Sequence, residues 1–208
     1  VGAGDRVAII AGNRLEWAVA AYATYGLGAV FTPMYEHQSA EDWRFIVADS
    51  AARVVIVSKP EIAGKLQGQG NDKGEQPTLV VIETDEQGDA KVDEGAERFD
   101  DLLDRGRANL VDAIAPSPTM TAGLIYTSGT TGKPKGVVLS HGNICSNLQA
   151  IHTYMPQRQQ DVSVSFLPWA HSFGQTCELH MMLSLGGAIA FAESIPRLGD
   201  NIEEIGPT

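Results

Sequence analysis

Short continuous apolar runs alternate along the chain with segments in which apolar residues recur at helical spacing. Short apolar runs that predict buried strands occur at Arg6–Ile10, Ala29–Phe31, Arg53–Ser58 and Leu79–Glu83. The segments between them space their apolar residues as helices do. Strands that alternate with helices form parallel sheets covered by helices. We therefore predict an α/β fold with largely parallel sheets.

The first predicted helix follows Asn13, which has Glu16 three residues later, as in a capping box. Its apolar face is predicted to consist of Leu15, Val19 and Tyr22. The second predicted helix follows Ser39 and has a face made of Trp43, Ile46, Val47 and Ser50.

The pattern restarts after the Pro116-Ser117-Pro118 break, which predicts two units, 1–115 and 116–208. Ser140 is a predicted N-cap for a helix with an apolar stripe of Ile144, Leu148 and Ile151. The remaining predicted elements are a strand over Val164–Leu167, a helix over Ser172–Leu185 and a strand over Ala188–Phe191.

The net negative charge of the chain argues against nucleic acid as a partner. The chain has 208 residues, 43% of them hydrophobic, and a formal net charge of −11. The segment 83–104 holds ten acidic residues against Lys91 and Arg98, and we interpret it as an acidic surface excursion. Such acidity argues against nucleic-acid binding, and calcium-loop spacing is absent from the sequence.

The cysteines and the apolar runs indicate a cytoplasmic protein. Cys145 and Cys177 are far apart in the sequence, which favours buried free thiols in a reducing compartment over a disulfide. No apolar run reaches the ~18 residues of a membrane span, which leaves only peripheral membrane association open.

The segment Tyr126–Gly136, with the letters YTSGTTGKPKG, has the composition of a phosphate-binding loop. It places three glycines, four Ser or Thr hydroxyls and two lysines between two apolar runs. Bare backbone N–H groups, hydroxyl donors and ammonium groups are what a polyphosphate requires. A Walker loop is excluded because Thr127 and Pro134 stand where it needs Gly and Ser or Thr.

The same letters closely resemble the phosphate-binding signature of the AMP-forming, adenylate-forming enzyme superfamily. A second segment, FLPWAHSFG at Phe166–Gly174, resembles the part of these enzymes that lines the acyl pocket. The run from Gly187 to Ser194 and the segment from Asn201 to Thr208 are similar to the long-chain fatty-acyl subgroup. The resemblance implies an N-terminal-domain fragment of an acyl-CoA synthetase, without the family's ribose-binding aspartate and C-terminal lid.

The resemblance also implies roles for individual residues. Lys135 would supply charge in catalysis, Thr127 would reach Mg²⁺, and Lys133 occupies a variable place. The phosphates would be held by Thr127, Ser128, Gly129, Thr130, Thr131, Gly132, Lys133 and Gly136. The acyl substrate would contact Trp169, His171, Phe173 and Gly174. For His171 the alternative is a half-buried histidine that only packs.

The implied reaction joins a fatty acid to CoA. The carboxylate would attack the α-phosphorus of ATP, release pyrophosphate, and pass as acyl-adenylate to CoA. An aryl-CoA ligase, a luciferase-like enzyme, a peptide-synthetase adenylation domain and a non-catalytic nucleotide-binding fragment remain alternatives. We expect the isolated chain to be inactive.

Overall fold

The computed structural model of the protein describes residues 1–71, 74–83, 95–128, 132–155 and 157–208. Its strands in chain order are β1 (Arg6–Ile10), β2 (Val30–Met34), β3 (Val54–Val57), β4 (Thr78–Val81), β5 (Ala96–Arg98), β6 (Thr121–Thr127), β7 (Lys135–Ser140), β8 (Val162–Ser165) and β9 (Ala188–Phe191). The first seven form one sheet in the order β5-β4-β3-β1-β2-β6-β7, and β8 pairs with β9 in a second sheet.

Helices lie between and beside these strands. Those of the first half are α1 (Leu15–Gly26), α2 (Ala40–Ser50), α3 (Pro60–Leu66) and α4 (Phe99–Ala108). Those of the second half are α5 (His141–Tyr154), α6 (Ser172–Gly174), a π-helical turn (Gln175–His180), α7 (Met181–Leu185), a 3-10 turn (Ile195–Arg197) and α8 (Leu198–Ile205).

The predicted α/β class is confirmed. Every strand pair of the described chain is parallel except β6–β7, which is antiparallel. β6 joins the sheet beside β2, so strands from both sides of the 115/116 break share one sheet. The division into two units stays a prediction.

Each face of the main sheet has its own core. On one face Ile10, Val55 and Val57 pack against Trp43 and Ile46 of α2. On the other face Ile9 and Phe31 pack against Trp17 of α1, together with Trp169 and Leu179 from the second half. The second half therefore covers the face of the sheet opposite α2.

The prediction for α2 is confirmed in detail. The Ser39 hydroxyl accepts a hydrogen bond from the Asp42 N–H at 3.1 Å, which makes Ser39 the N-cap. The buried residues of the helix are the four that the sequence predicts, Trp43, Ile46, Val47 and Ser50.

The prediction for α1 is wrong in two respects. The N-cap is Arg14 without a side-chain cap, and Glu16 pairs with the Arg14 guanidinium at 2.8 Å. The predicted apolar face is also exposed, with Leu15 at 67%. The buried face consists of Trp17, Ala20, Ala21 and Thr24. These residues follow helical spacing, but the two alanines are too weakly hydrophobic to mark the face.

In the second half, Ser140 forms a full capping box with Asn143 and α5 begins at His141, as predicted. The predicted helix Ser172–Leu185 is helical over the whole range, with the π-helical turn inside it. β9 has the predicted bounds, and β8 begins and ends two residues earlier than predicted.

Three smaller predictions also have outcomes. Cys145 and Cys177 are free thiols, as predicted, but the prediction that they are buried is wrong, since Cys145 is exposed and Cys177 is half-buried. Among the described residues, no helix is long and apolar enough to cross a bilayer. Residues 84–94 of the acidic excursion lie outside the described residues, and its remainder contributes β5 and the start of α4.

Candidate functional site

The predicted phosphate loop joins the two antiparallel strands β6 and β7. Their register pairs Tyr126 with Gly136 and Thr127 with Lys135, so the ladder extends further into the motif than the sequence predicts. Ser128 and residues 132–134 are described between the strands, and Gly132 has a φ of +89° that favours glycine. The predicted ligands Gly129, Thr130 and Thr131 lie outside the described residues.

Tyr126 fixes the hairpin to α2. Its hydroxyl donates a hydrogen bond to Asp49 Oδ2 at 2.6 Å. Burial raises the pKa of Tyr126, and the bond to Asp49 raises it further. The ring lies over Gly136, where a Cβ atom would approach Tyr126 Cζ to 3.1 Å. The close approach of the Tyr126 ring therefore favours glycine at position 136. This is separate from the predicted hydrogen bond of the Gly136 N–H to phosphate.

Thr127 and Lys135 lie on the other face of the hairpin, because side chains alternate along a strand. Both are exposed, so the hydroxyl and the ammonium group are available to a ligand on one surface. Lys133 differs, since its Nζ lies 5.8 Å from the centre of the Phe45 ring on α2. The two lysines of the motif are thus on different sides of the hairpin.

An apolar groove of about 450 Å³ begins on the Thr127 and Lys135 side. Leu139 of β7 is one of its walls, and it shares a strand face with Lys135 and Val137. The other lining residues are Asn143, Ile144, Asn147, Ile151, Ser172, Phe173, Thr176 and Cys177. Side chains of β7, α5 and the Ser172–Leu185 helical segment therefore enclose it together.

The structure brings only one of the four predicted acyl-contact residues to this groove. Phe173 lines it. Trp169 lies instead in the core, with ring centroids 5.5 Å from those of Trp17 and of Phe191. Gly174 is buried, and a Cβ there would lie 2.5 Å from the Pro168 carbonyl oxygen. Their sequence motif thus reflects close packing in addition to any role near substrate.

His171 is exposed and is the N-cap of α6. Its Nδ1 accepts a hydrogen bond from the Phe173 N–H at 3.1 Å. The predicted alternative of a half-buried packing histidine does not fit this exposure. His171 therefore orients the start of α6. The first two residues of this helix, Ser172 and Phe173, line the groove.

Sequence reasoning missed most of the groove. Thr176 and Cys177 follow Phe173 by three and four residues, which is the helical spacing that places side chains on one face. The predicted apolar stripe of α5, formed by Ile144, Leu148 and Ile151, is not buried, and Ile144 and Ile151 line the groove. The sequence shows the stripe, but only the structure shows that it is half exposed and forms a wall of the groove.

A cluster of tyrosine and histidine rings surrounds the buried His180 beside the groove. The Tyr22 hydroxyl lies 3.1 Å from Nδ1 of His180, and the Tyr25 ring contacts the rings of His141 and His180. Burial, together with the neighbouring His141, lowers the pKa of His180 to about 4. His180 is therefore neutral near pH 7 and belongs to the core.

The metal-ligand prediction rests on Thr127 alone. In the part of the chain that the structure describes, no group of three or more His, Cys, Asp or Glu residues could hold a metal ion. Mg²⁺ in nucleotide sites is held largely by substrate phosphates and water, with one or two protein oxygens. An exposed Thr127 hydroxyl beside the phosphate loop fits that limited role.

Comparison with known proteins gives consistent results. The sequence matches the AMP-binding enzyme family over residues 1–208. Long-chain-fatty-acid–CoA ligase 5 of Mus musculus is 31% identical over 97% of this chain, and a long-chain-fatty-acid–CoA ligase of Mycobacterium tuberculosis is 32% identical over 95%. The chain spans 31% and 33% of the length of these two relatives.

Solved structures share the fold. ATP-bound MatB from Rhodopseudomonas palustris superposes with a TM-score of 0.77 at 24% identity, covering 99% of this chain and 38% of MatB. The anthranilate CoA ligase AuaEII, in complex with anthranoyl-AMP, superposes with a TM-score of 0.81 at 23% identity, covering 100% of this chain and 40% of AuaEII.

Proposed function

The chain belongs to the AMP-binding enzyme family, and from that premise we propose that it is the phosphate- and acyl-binding part of an AMP-forming fatty-acid–CoA ligase. The family resemblance predicted from Tyr126–Gly136 is thereby confirmed. The proposal of a fatty-acid substrate is more specific than membership of the family, and the two fatty-acid–CoA ligases that resemble the chain support it.

One observation carries the proposal. Lys135, Val137 and Leu139 share one face of β7, so a single strand face leads from the phosphate loop to the apolar groove. A fatty acid must present its carboxylate to the α-phosphorus of ATP while its alkyl chain is shielded from water. A cationic end followed by an apolar groove provides both environments.

In this proposal the loop binds the β- and γ-phosphates. The hydroxyls of Thr127 and Ser128 and the N–H groups of Gly132 and Gly136 donate hydrogen bonds, and Lys135 supplies charge. Gly129, Thr130 and Thr131 complete the loop. As carboxylate attacks the α-phosphorus, negative charge moves onto the departing pyrophosphate, and donors held in place stabilise it there.

The remaining chemistry needs no covalent bond to the protein. The carboxylate oxygen forms a bond to the α-phosphorus, and the bond from that phosphorus to the pyrophosphate oxygen breaks. The CoA thiolate then attacks the acyl carbonyl and AMP leaves. Mg²⁺, when bound, offsets phosphate charge, with Thr127 as one oxygen ligand. The protein's contribution is to position the reactants and stabilise charge.

The test uses the full-length protein that contains this chain. We expect pyrophosphate exchange into ATP that depends on a long-chain fatty acid, followed by acyl-CoA formation when CoA is added. Thr176→Trp, which fills the groove, should shift the preference toward shorter acids. Exchange with benzoate or an amino acid, and none with fatty acids, would overturn the fatty-acid assignment in favour of an aryl-CoA ligase or an adenylation domain.

The isolated 208-residue chain is the matched control for this assay. We expect it to form no acyl-CoA, because the chain spans only 31% and 33% of the length of the two fatty-acid–CoA ligases that resemble it. Thioester formation by the chain alone would contradict that expectation. It would leave the assignment of the reaction intact.

A further inference from the structure

A buried carboxylate, Glu178, lies in the π-helical turn between α6 and α7 and is 8% exposed. It accepts a hydrogen bond from the Ser165 hydroxyl at the end of β8. Its Oε1 also accepts from the N–H groups of Phe166 and Leu167, at 3.3 and 3.0 Å. One side chain thus holds three successive residues, the last of β8 and the two that follow it.

Asn13, which follows β1 of the main sheet, holds the same segment from the other side. Its Nδ2 donates to Ser165 Oγ at 3.0 Å and to the Leu167 carbonyl at 2.7 Å. Its Oδ1 accepts from the Trp169 N–H at 2.9 Å. These lengths are those of well-formed hydrogen bonds, and each crosses more than 150 positions of sequence.

The segment from Ser165 to Trp169 is therefore held between Glu178 of the π-helical turn and Asn13, which follows β1. A buried carboxylate destabilises the folded protein unless its oxygens accept hydrogen bonds. An apolar side chain would fill the same space without that requirement. A π-helical turn also inserts an extra residue into a helix, and such turns occur often at functional sites. Both features indicate that the placement of this segment is under tight constraint.

A direct contact connects the anchored segment to the groove. A Cβ at Gly174 would lie 2.5 Å from the Pro168 carbonyl oxygen and 3.0 Å from that of Leu167. The start of the groove-lining helix therefore rests on the same backbone that Glu178 and Asn13 hold. Phe173, next to Gly174, is a groove wall. A shift of the segment would move that wall.

We propose that Glu178, together with Asn13, is a positioning residue that fixes the Ser165–Trp169 segment and so sets the wall of the acid-binding groove. The inference rests on the proposed function for the identity of the groove's ligand. Neither residue touches substrate in this proposal. Their effect is on how well the groove fits a fatty acid, with little effect on ATP.

The test compares variants of the full-length protein. Glu178→Leu removes all three acceptor contacts, whereas Glu178→Gln keeps an oxygen for the two backbone N–H groups. We expect Glu178→Leu to raise KM for the acid roughly tenfold or more and to change KM for ATP by no more than about twofold. Glu178→Gln should recover most of the loss.

Gln175→Leu is the matched control for the π-helical turn. Gln175 is also buried and polar, but it contacts the Tyr25 hydroxyl at 3.5 Å and not the anchored segment. We expect it to lower thermal stability without changing KM for the acid. Equal effects of Glu178→Leu and Gln175→Leu on that KM would overturn the positioning role.

Two further measurements keep the result interpretable. Asn13→Ala removes the second anchor and should raise KM for the acid in the same direction, even if Glu178→Leu does not fold. Amide hydrogen exchange should speed up at Leu167 and Trp169 in Asn13→Ala or Glu178→Leu and not in Gln175→Leu. Unchanged exchange would refute the anchoring. If the wild-type enzyme does not activate fatty acids, only the proposed function is refuted.

Discussion

Thr127 and Lys135 lie directly opposite each other across the two strands that flank the phosphate loop. Directly opposed residues of an antiparallel pair have Cβ atoms about 5 Å apart on one face. A hydroxyl donor and an ammonium group therefore converge on the same surface, beyond which the apolar groove begins. Lys133, two residues earlier, lies over the Phe45 ring on the other side of the hairpin.

This arrangement predicts unequal roles for the two lysines. In the full-length enzyme, Lys135→Ala should remove a charge-assisted contact to phosphate worth about 1.5–3 kcal/mol, or roughly ten- to a hundredfold in the rate of adenylation. Lys133→Ala is the matched control and should have a smaller effect. Pyrophosphate exchange rates measure both. An equal or larger loss at Lys133 would show that the catalytic lysine is wrongly assigned.

The contact between Gly136 and the Tyr126 ring gives a second prediction. Gly136→Ala should destabilise the protein by about 1–3 kcal/mol, because the added Cβ overpacks the hairpin against the ring. The effect should be smaller in a Tyr126→Ala background, with a coupling energy of about 0.5 kcal/mol or more. Thermal or urea unfolding of the four proteins of the cycle measures it.

If the two effects simply add, Gly136 is not required for packing. Its glycine would then serve only the approach of a phosphate to the backbone. In that case Gly136→Ala should weaken ATP binding by the same factor in both backgrounds.

His171 yields a third prediction through its bond to the Phe173 N–H. His171→Ala should cost about 1 kcal/mol of stability, as the loss of an N-cap does. It should raise KM for the fatty acid more than KM for ATP, because Phe173 forms part of the groove. His171→Asn can cap the helix and should restore both properties. Normal acid kinetics in a less stable His171→Ala protein would show that the histidine serves only the fold.

Local signals in the sequence predicted local structure well. Ser39 caps α2, Ser140 caps α5, and the apolar runs on both sides of the phosphate motif form β6 and β7. Each of these features depends on residues within a few positions of one another. A capping hydroxyl or a hairpin therefore leaves its mark in a short stretch of sequence.

Asn13 shows why other features could not be predicted. Its spacing to Glu16 matches a capping box, yet its side chain bonds to Ser165, Leu167 and Trp169. An asparagine satisfies whichever donors and acceptors the fold brings near it, and those partners are far away in sequence. Glu178 and the exposed face of α1 escaped prediction for the same reason, since both depend on contacts between distant elements.

His180 provides the last prediction, which concerns pH. Burial lowers its pKa to about 4, below the ~6.5 of an unfolded histidine. Between these values the unfolded chain binds a proton that the folded chain does not. The stabilising effect of a neutral His180 is therefore complete above about pH 6.5 and is lost as the pH falls toward 4, by about 3 kcal/mol.

His180→Gln does not titrate and can still bond to the Tyr22 hydroxyl, so its unfolding midpoint should fall less steeply over that range. His37→Gln, at an exposed position, is the control and should behave as wild type. Identical pH profiles for wild type and His180→Gln would show that His180 keeps its ordinary pKa in the folded protein.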